Sequence, residues 1–91
     1  MKKDLILPVK GIYFDQIASG EKVREFRLRN DFWTRRLVGK DFGKVVITRG
    51  YPRTDDQSRR IVRPWKGYEE QDILHPHFGP EPVSVYAIIL D

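Results

Sequence analysis

The sequence has no cysteine. That excludes disulfides, thiolate nucleophiles and Cys-based zinc sites, and it is compatible with a reducing compartment. Long apolar runs are missing too. The opening "MKKDLILPVKG" carries two lysines, but Leu5-Ile6-Leu7 is far too short for the core of a signal peptide. No segment approaches the length of a membrane span. A soluble, cytoplasmic protein with no membrane contact is expected. Repeats, low-complexity tracts and linkers are absent, and nothing in the chain calls for a cofactor. One sign of charge is absent locally: residues 67–91 hold no Lys or Arg against five Asp or Glu.

The positive charge sits elsewhere. Residues 21–66 carry fourteen Lys/Arg against six Asp/Glu, in a chain of net charge +4. Central charge of this size fits a polyanionic partner, most commonly nucleic acid. The plainer reading is a solvated surface, with the acidic C-terminal quarter folded back onto the basic centre. Ninety-one residues suffice for a single domain, 1–91, with one modest core. A monomer is favoured.

Hydrophobic patterning predicts mostly strands, with two short early helices. "DLILPVK" (Asp4–Lys10) reads as a first strand closed by Pro8. "GIYFDQIASG" reads as a helix, with Tyr13, Phe14 and Ile17 on one side and Gly20 at a left-handed C-cap. "NDFWTRRLVG" reads as a second helix. Asn30 or Asp31 caps it, Trp33 and Leu37 share a face, and Arg35 and Arg36 lie in the last turn, where the dipole favours cations. "KVVITRG" is the clearest strand, and "YPRTDDQS" the polar loop after it. "RRIVRPWKGYEEQDIL" reads as one strand broken or bulged near Pro64 and Gly67. "HPHFGPEP" is a turn and "VSVYAIILD" the final strand. The fold class expected is α+β: a small mixed β-barrel with two short helices, closure being the economical way to remove sheet edges.

The stretch "SGEKVREFRLRN" between the helices packs six ionised residues into twelve. As a strand it alternates faces. Val23, Glu25, Arg27 and Arg29 share one; Lys22, Arg24, Phe26 and Leu28 share the other. Phe26 and Leu28 are expected to face the core. Glu25 and Arg27, two residues apart, are placed to pair. If their face is concave and partly dry they form a preorganised polar site; if it is solvated the charges merely protect a strand edge. Strict alternation puts Lys22 opposite them, so a twist or bulge is needed for it to join.

Aromatic residues supply stacking surfaces of the kind used on single strands. Tyr13, Trp33, Tyr51, Trp65 and Tyr68 are available, and for Trp33 packing in the core is favoured. Tyr51 and Trp65 sit among Arg49, Arg53, Arg63 and Lys66. Arg suits bidentate phosphate contact, while Arg59 and Arg60 read as a solvated hairpin. His75 and His77 in "DILHPHF" invite a metal reading, but Pro76 constrains them and no further ligand spacing accompanies them. No metal site is expected. A satisfied or exposed turn histidine is favoured, with a general base in a cleft as the other role.

"LPVKGIYFDQIASGEKVREFR" resembles the opening of an ASCH domain, a family named for its homology to a region of activating signal cointegrator 1 and similar in fold to the PUA barrel of RNA-modifying proteins. The shared pattern is an apolar strand, a short helix ending in Gly, then G-x-K-x-x-E-x-R, here Gly20, Lys22, Glu25 and Arg27. "VITRGYP", "PWKGYE" and "HPHFGPEPV" look like the short phage and bacterial branch, so the resemblance spans nearly the whole chain. It implies a cleft around the motif that binds RNA or nucleotides. One bacterial branch hydrolyses N4-acetylcytidine with a Lys, a Thr three residues later and a distant Glu. Lys22 matches that lysine, Glu25 stands where the Thr would be, and Glu69, Glu70 and Glu81 are candidates for the Glu by class only. Other members resemble single-strand ribonucleases.

Two function classes follow. In the first the chain is a binding module for RNA or a nucleotide, DNA being the less favoured partner. Its candidate contacts are Lys10, Lys22, Glu25 and Arg27, joined by Arg49, Tyr51, Arg53 and Trp65. In the second it is a hydrolase on RNA or a modified nucleoside, with Lys22 and Glu25 as catalytic residues. A structural role for Glu25–Arg27, clamping one strand to a neighbour, is the third reading.

Overall fold

The computed structural model describes residues 2–91. Along the chain run β1 (Leu5–Val9), α1 (Gly11–Ala18), β2 (Arg24–Leu28), α2 (Asp31–Leu37), β3 (Lys44–Arg49), β4 (Arg60–Pro64), β5 (Tyr68–Ile73) and β6 (Val83–Ile89), with short 3-10 turns at Gln57–Arg59 and Pro76–Phe78. The strands form two three-stranded sheets. One has the order β1-β3-β4, with β1 parallel to β3; the other is β2-β6-β5, antiparallel throughout.

Local sequence explains most of these elements. In β1, Leu5, Leu7 and Val9 point inward while Ile6 is exposed. Pro8 does not close this strand, as predicted, but lies within it. Because β1 is a sheet edge, the missing N–H of Pro8 leaves no ladder bond unmade. Helix α1 buries Phe14 and Ile17, and Gly20 adopts the positive φ of 84° expected of a helix stop. Helix α2 is capped by Asn30, whose side chain accepts the Trp33 N–H at 2.9 Å, and it buries Leu37.

The segment predicted as one interrupted strand is two strands in different sheets. Gly67, at φ 84°, allows the chain to leave β4 and enter β5 on the other side. β6 is flanked by β2 and β5, so Val85, Tyr86, Ala87 and Ile88 are all buried, on both faces of the strand. Leu5, Leu7, Val45 and Ile47 of one sheet, Tyr86 and Ile88 of the other, and Phe14, Ile17 and Leu37 of the helices form one shared core. The fold is α+β, two sheets and two helices about that core. No strand pairing joins the two sheets among the described residues, so the expected barrel is not closed.

The acidic C-terminal quarter does fold back on basic residues. Arg24 donates to Glu69 Oε1 at 2.8 Å and to Asp91 Oδ1 at 2.6 Å. The hydrogen bond from Arg24 holds the Asp91 carboxyl below its usual range. No helix among the described residues is long and apolar enough to cross a membrane.

Candidate functional site: a cavity in the open seam

β1 and β2 are each the edge strand of their sheet. Gly50 N–H donates to the Val9 carbonyl, so Val9 turns toward β3, and the carbonyl of the next residue, Pro8, turns away from it. On β2, Leu90 N–H bonds to the Val23 carbonyl and Arg29 N–H to that of Ser84. By the same alternation, the backbone groups of Phe26 face the open side. The gap between the sheets is spanned by Arg27, whose Nη2 donates to the Pro8 carbonyl at 2.8 Å. Between these two sheet edges a cavity of about 410 Å³ opens, within the size range of small-molecule sites.

Glu25 and Arg27 of β2 line it. Glu25 pairs with Ile88 and Arg27 with Tyr86 in the ladder, and directly paired residues share a face. That face is the inner one, because Ile88 and Tyr86 belong to the core. The expected orientation of β2 is therefore reversed: Glu25 is buried, Phe26 is half-buried and Leu28 is 37 % exposed. The reason is that this edge strand fronts an open cavity rather than the close-packed core. The Phe26 ring instead lies under the Lys22 ammonium, 4.5 Å from its centroid.

Lys22 precedes β2, which begins at Arg24, and strand alternation does not govern it. Its N–H donates to the Gln16 carbonyl at 3.0 Å, in the turn that follows Gly20. From there its Nζ reaches within 3.5 Å of Glu25 Oε1, while Arg27 Nη2 stands 3.3 Å from Glu25 Oε2. These are loose ion contacts, longer than the roughly 2.7–2.9 Å of tight charge-assisted hydrogen bonds, so the Glu25 carboxylate keeps lone pairs for a ligand. Burial pushes the Arg27 guanidinium below its ordinary pKa, and the Glu25 charge opposes that shift. Arg27 Nε is buried without a hydrogen-bond partner, and the guanidinium lies 5.1 Å from the Trp33 ring centroid.

Of the residues proposed from sequence, Lys10, Lys22, Glu25, Arg27 and Tyr51 come together at the cavity. Tyr51 is 93 % exposed at its mouth. Arg49, Arg53 and Trp65 do not line it. Arg49 is engaged behind the wall, donating to Asp15 Oδ1 at 2.6 Å and to the Gly11 carbonyl at 3.2 Å. A Cβ on Gly11 would fall 2.6 Å from that guanidinium, so the glycine makes room for it. Arg53 projects into solvent with only a loose contact to Asp55 at 3.7 Å. Trp65 packs edge to face on Phe42, centroids 4.9 Å apart, against the core. Glu69, Glu70 and Glu81 are also outside the cavity lining.

Tyr13, Trp33, His75, His77 and Phe78 complete the walls. Trp33 packs against the core, as the preferred sequence reading has it, and it also lines the cavity. The His75 and Tyr13 rings approach to 5.8 Å, and His75 Nδ1 accepts the His77 N–H at 3.1 Å. This contact depends on the Pro76–Phe78 turn folding over α1, which no local pattern encodes. No group of three or more His, Cys, Asp or Glu is placed to hold a metal ion among the described residues. Comparison of the chain with known protein families, with curated proteins and with solved structures returned no match.

Proposed function

We propose that the chain is a nucleic-acid- or nucleotide-binding domain of the ASCH kind, with RNA as its foremost ligand, and that the seam cavity takes an unpaired base or a nucleotide. The observation that carries this reading is the convergence of Lys10, Lys22, Glu25, Arg27 and Tyr51 on one aromatic-walled cavity of about 410 Å³. A base stacks on the aromatic walls. Lys22 and Arg27 donate to its carbonyl or ring acceptors, and Glu25 accepts from its N–H groups. Lys10, at the mouth, meets a phosphate. The finer fold assignment, a PUA-like barrel left open at one seam, belongs to this reading, as do a monomeric state and a cytoplasmic setting. The order β1, α1, Gly20, Lys22, β2 around a single core supports it.

The second reading, a hydrolase, rests on the proximity of Lys22 Nζ and Glu25 Oε1 at the cavity wall. It would need a scheme of its own, since none of Glu69, Glu70 and Glu81 lines the cavity and Glu25 replaces a Thr. One set of proteins tests both. Wild type, Lys22→Ala and Glu25→Gln are titrated with nucleoside monophosphates and short single-stranded RNA, then assayed for cleavage of RNA and N-acylated nucleosides. Binding by wild type, weakened roughly tenfold or more in Lys22→Ala by loss of a charge-assisted contact, with no turnover, is the expected result. Absence of wild-type binding to every probe sinks the binding module. Turnover lost in both variants, with the folded state retained, would establish the hydrolase instead.

A further inference from the structure

Helix α2 presents a second aromatic and cationic surface that the cavity does not use. Phe32 is 58 % exposed. The Arg36 guanidinium lies 4.9 Å from the Phe32 ring centroid and 5.6 Å from that of Trp33. The two rings meet edge to face at 5.2 Å. At 3.6 residues per turn, Phe32, Arg36 and Trp33 occupy adjoining sectors of the helix. Thr34 turns instead to the Tyr86 hydroxyl, at 2.7 Å, and Leu37 is fully buried. Because Trp33 is also a cavity wall, a continuous strip leads from the cavity through Arg36 to Phe32 in solvent. Arg35 is exposed on the same helix. Neither Arg35 nor Arg36 forms an ion pair among the described residues.

An exposed ring with a stacked guanidinium has a bland explanation: the arginine stem shields apolar surface. That does not account for the continuity with the cavity wall or for two cations left without anions. A single strand needs both features, a π-face for each successive base and positive charge for the linking phosphodiester. The Arg36 plane is itself a stacking surface.

We infer that Phe32 and Arg36 form a second stacking position, for the nucleotide next to the one in the cavity, with Arg35, on the far side of Phe32 from Trp33, meeting the phosphate that follows. The ligand class is then single-stranded nucleic acid of at least two nucleotides, rather than a free mononucleotide or a duplex. This rests on the cavity reading above. A paired base can reach neither the cavity nor the platform without leaving its partner, so duplex binds weakly.

The test compares the four ribonucleoside 5′-monophosphates with 5′-phosphorylated tetranucleotides of the same bases, in ribo and deoxy form, and with a blunt duplex. Wild type should bind tetranucleotides well above monophosphates. Phe32→Leu, which keeps apolar bulk but loses the ring, should cut the tetranucleotide-to-monophosphate affinity ratio roughly five- to a hundredfold. Phe32→Tyr, which keeps the ring, should preserve it. The ribo and deoxy arms separate the two sources of the same chemistry. Equal affinity of wild type for monophosphate and tetranucleotide, equal ratios in the Leu and Tyr variants, or duplex bound as tightly as single strand each overturns the platform while leaving the cavity reading intact. Failure of every probe to bind overturns both.

Discussion

Glu25 stands 3.5 Å from the Lys22 ammonium and 3.3 Å from the Arg27 guanidinium, with 7 % of its side-chain surface exposed. Two cations held this close in a partly dry cavity repel each other, and the carboxylate between them offsets the repulsion. Breaking a fully buried ion pair costs about 3–5 kcal/mol; here the open mouth admits water and moderates the loss. Glu25→Gln should therefore destabilise the fold by about 2–3 kcal/mol in urea unfolding, by the same reasoning. Asp55→Asn, which removes the partner of the fully solvated Arg53, should stay within about 0.5 kcal/mol. Equal effects of the two substitutions would mean that the seam is as wet as the surface. At this scale the sequence is partly legible. Glu25 and Arg27, two apart on a strand, had to share a face. Lys22 could not be placed by alternation because it precedes the strand and is set by the Gly20 turn. Trp65 looks like a ligand contact from its basic neighbours, but Phe42 takes its ring, and that pairing is tertiary.

Helix limits are the most readable elements, because caps are local chemistry. Asn30 accepts the Trp33 N–H at 2.9 Å and Gly20 takes the left-handed turn, both as the residue types require. The strands are less readable, because their faces are decided by what lies across the sheet. Phe26 and Leu28 look like core, yet β2 is an edge strand whose inner face meets a cavity, so Glu25 and Arg27 turn inward. β4 and β5 look like one strand, since nothing between Pro64 and Gly67 says that the chain changes sheet. The Asn30 cap also has a functional consequence, because it fixes the first turn of the helix that carries both Trp33 and Phe32. Asn30→Ala should cost about 1 kcal/mol of stability and weaken oligonucleotide binding. Asn30→Asp, which keeps a capping oxygen, should restore both. Thermal melts and titrations on the two variants check this; a stable Ala variant would mean that packing of Leu37 alone holds the helix.

For the whole molecule, the charge balance of +4 conceals a division of labour. Glu69, Glu70 and Asp91 approach Arg24 and Arg29, and Lys66 donates to the Asp91 carbonyl, so part of the central positive charge is answered within the fold. Lys10, Arg35 and Arg36 have no such partner among the described residues; Lys10 lines the cavity, Arg36 stands on the strip leading from it, and Arg35 is exposed on the same helix beyond Phe32. If these three meet phosphates of a single strand, binding releases counterions, and log K falls with log salt at a slope of about −0.7 per contact. Three contacts give a slope near −2, a loss of roughly twentyfold between 50 and 200 mM monovalent salt. Lys10→Ala should shallow the slope by about 0.7, since one contact is removed, and Lys44→Ala, distant at the start of β3, should leave it unchanged. A monophosphate held in the cavity should show a much shallower dependence than the tetranucleotide. Flat salt dependence for the tetranucleotide would show that the unpaired cations do not touch the strand, and would confine recognition to the base in the seam.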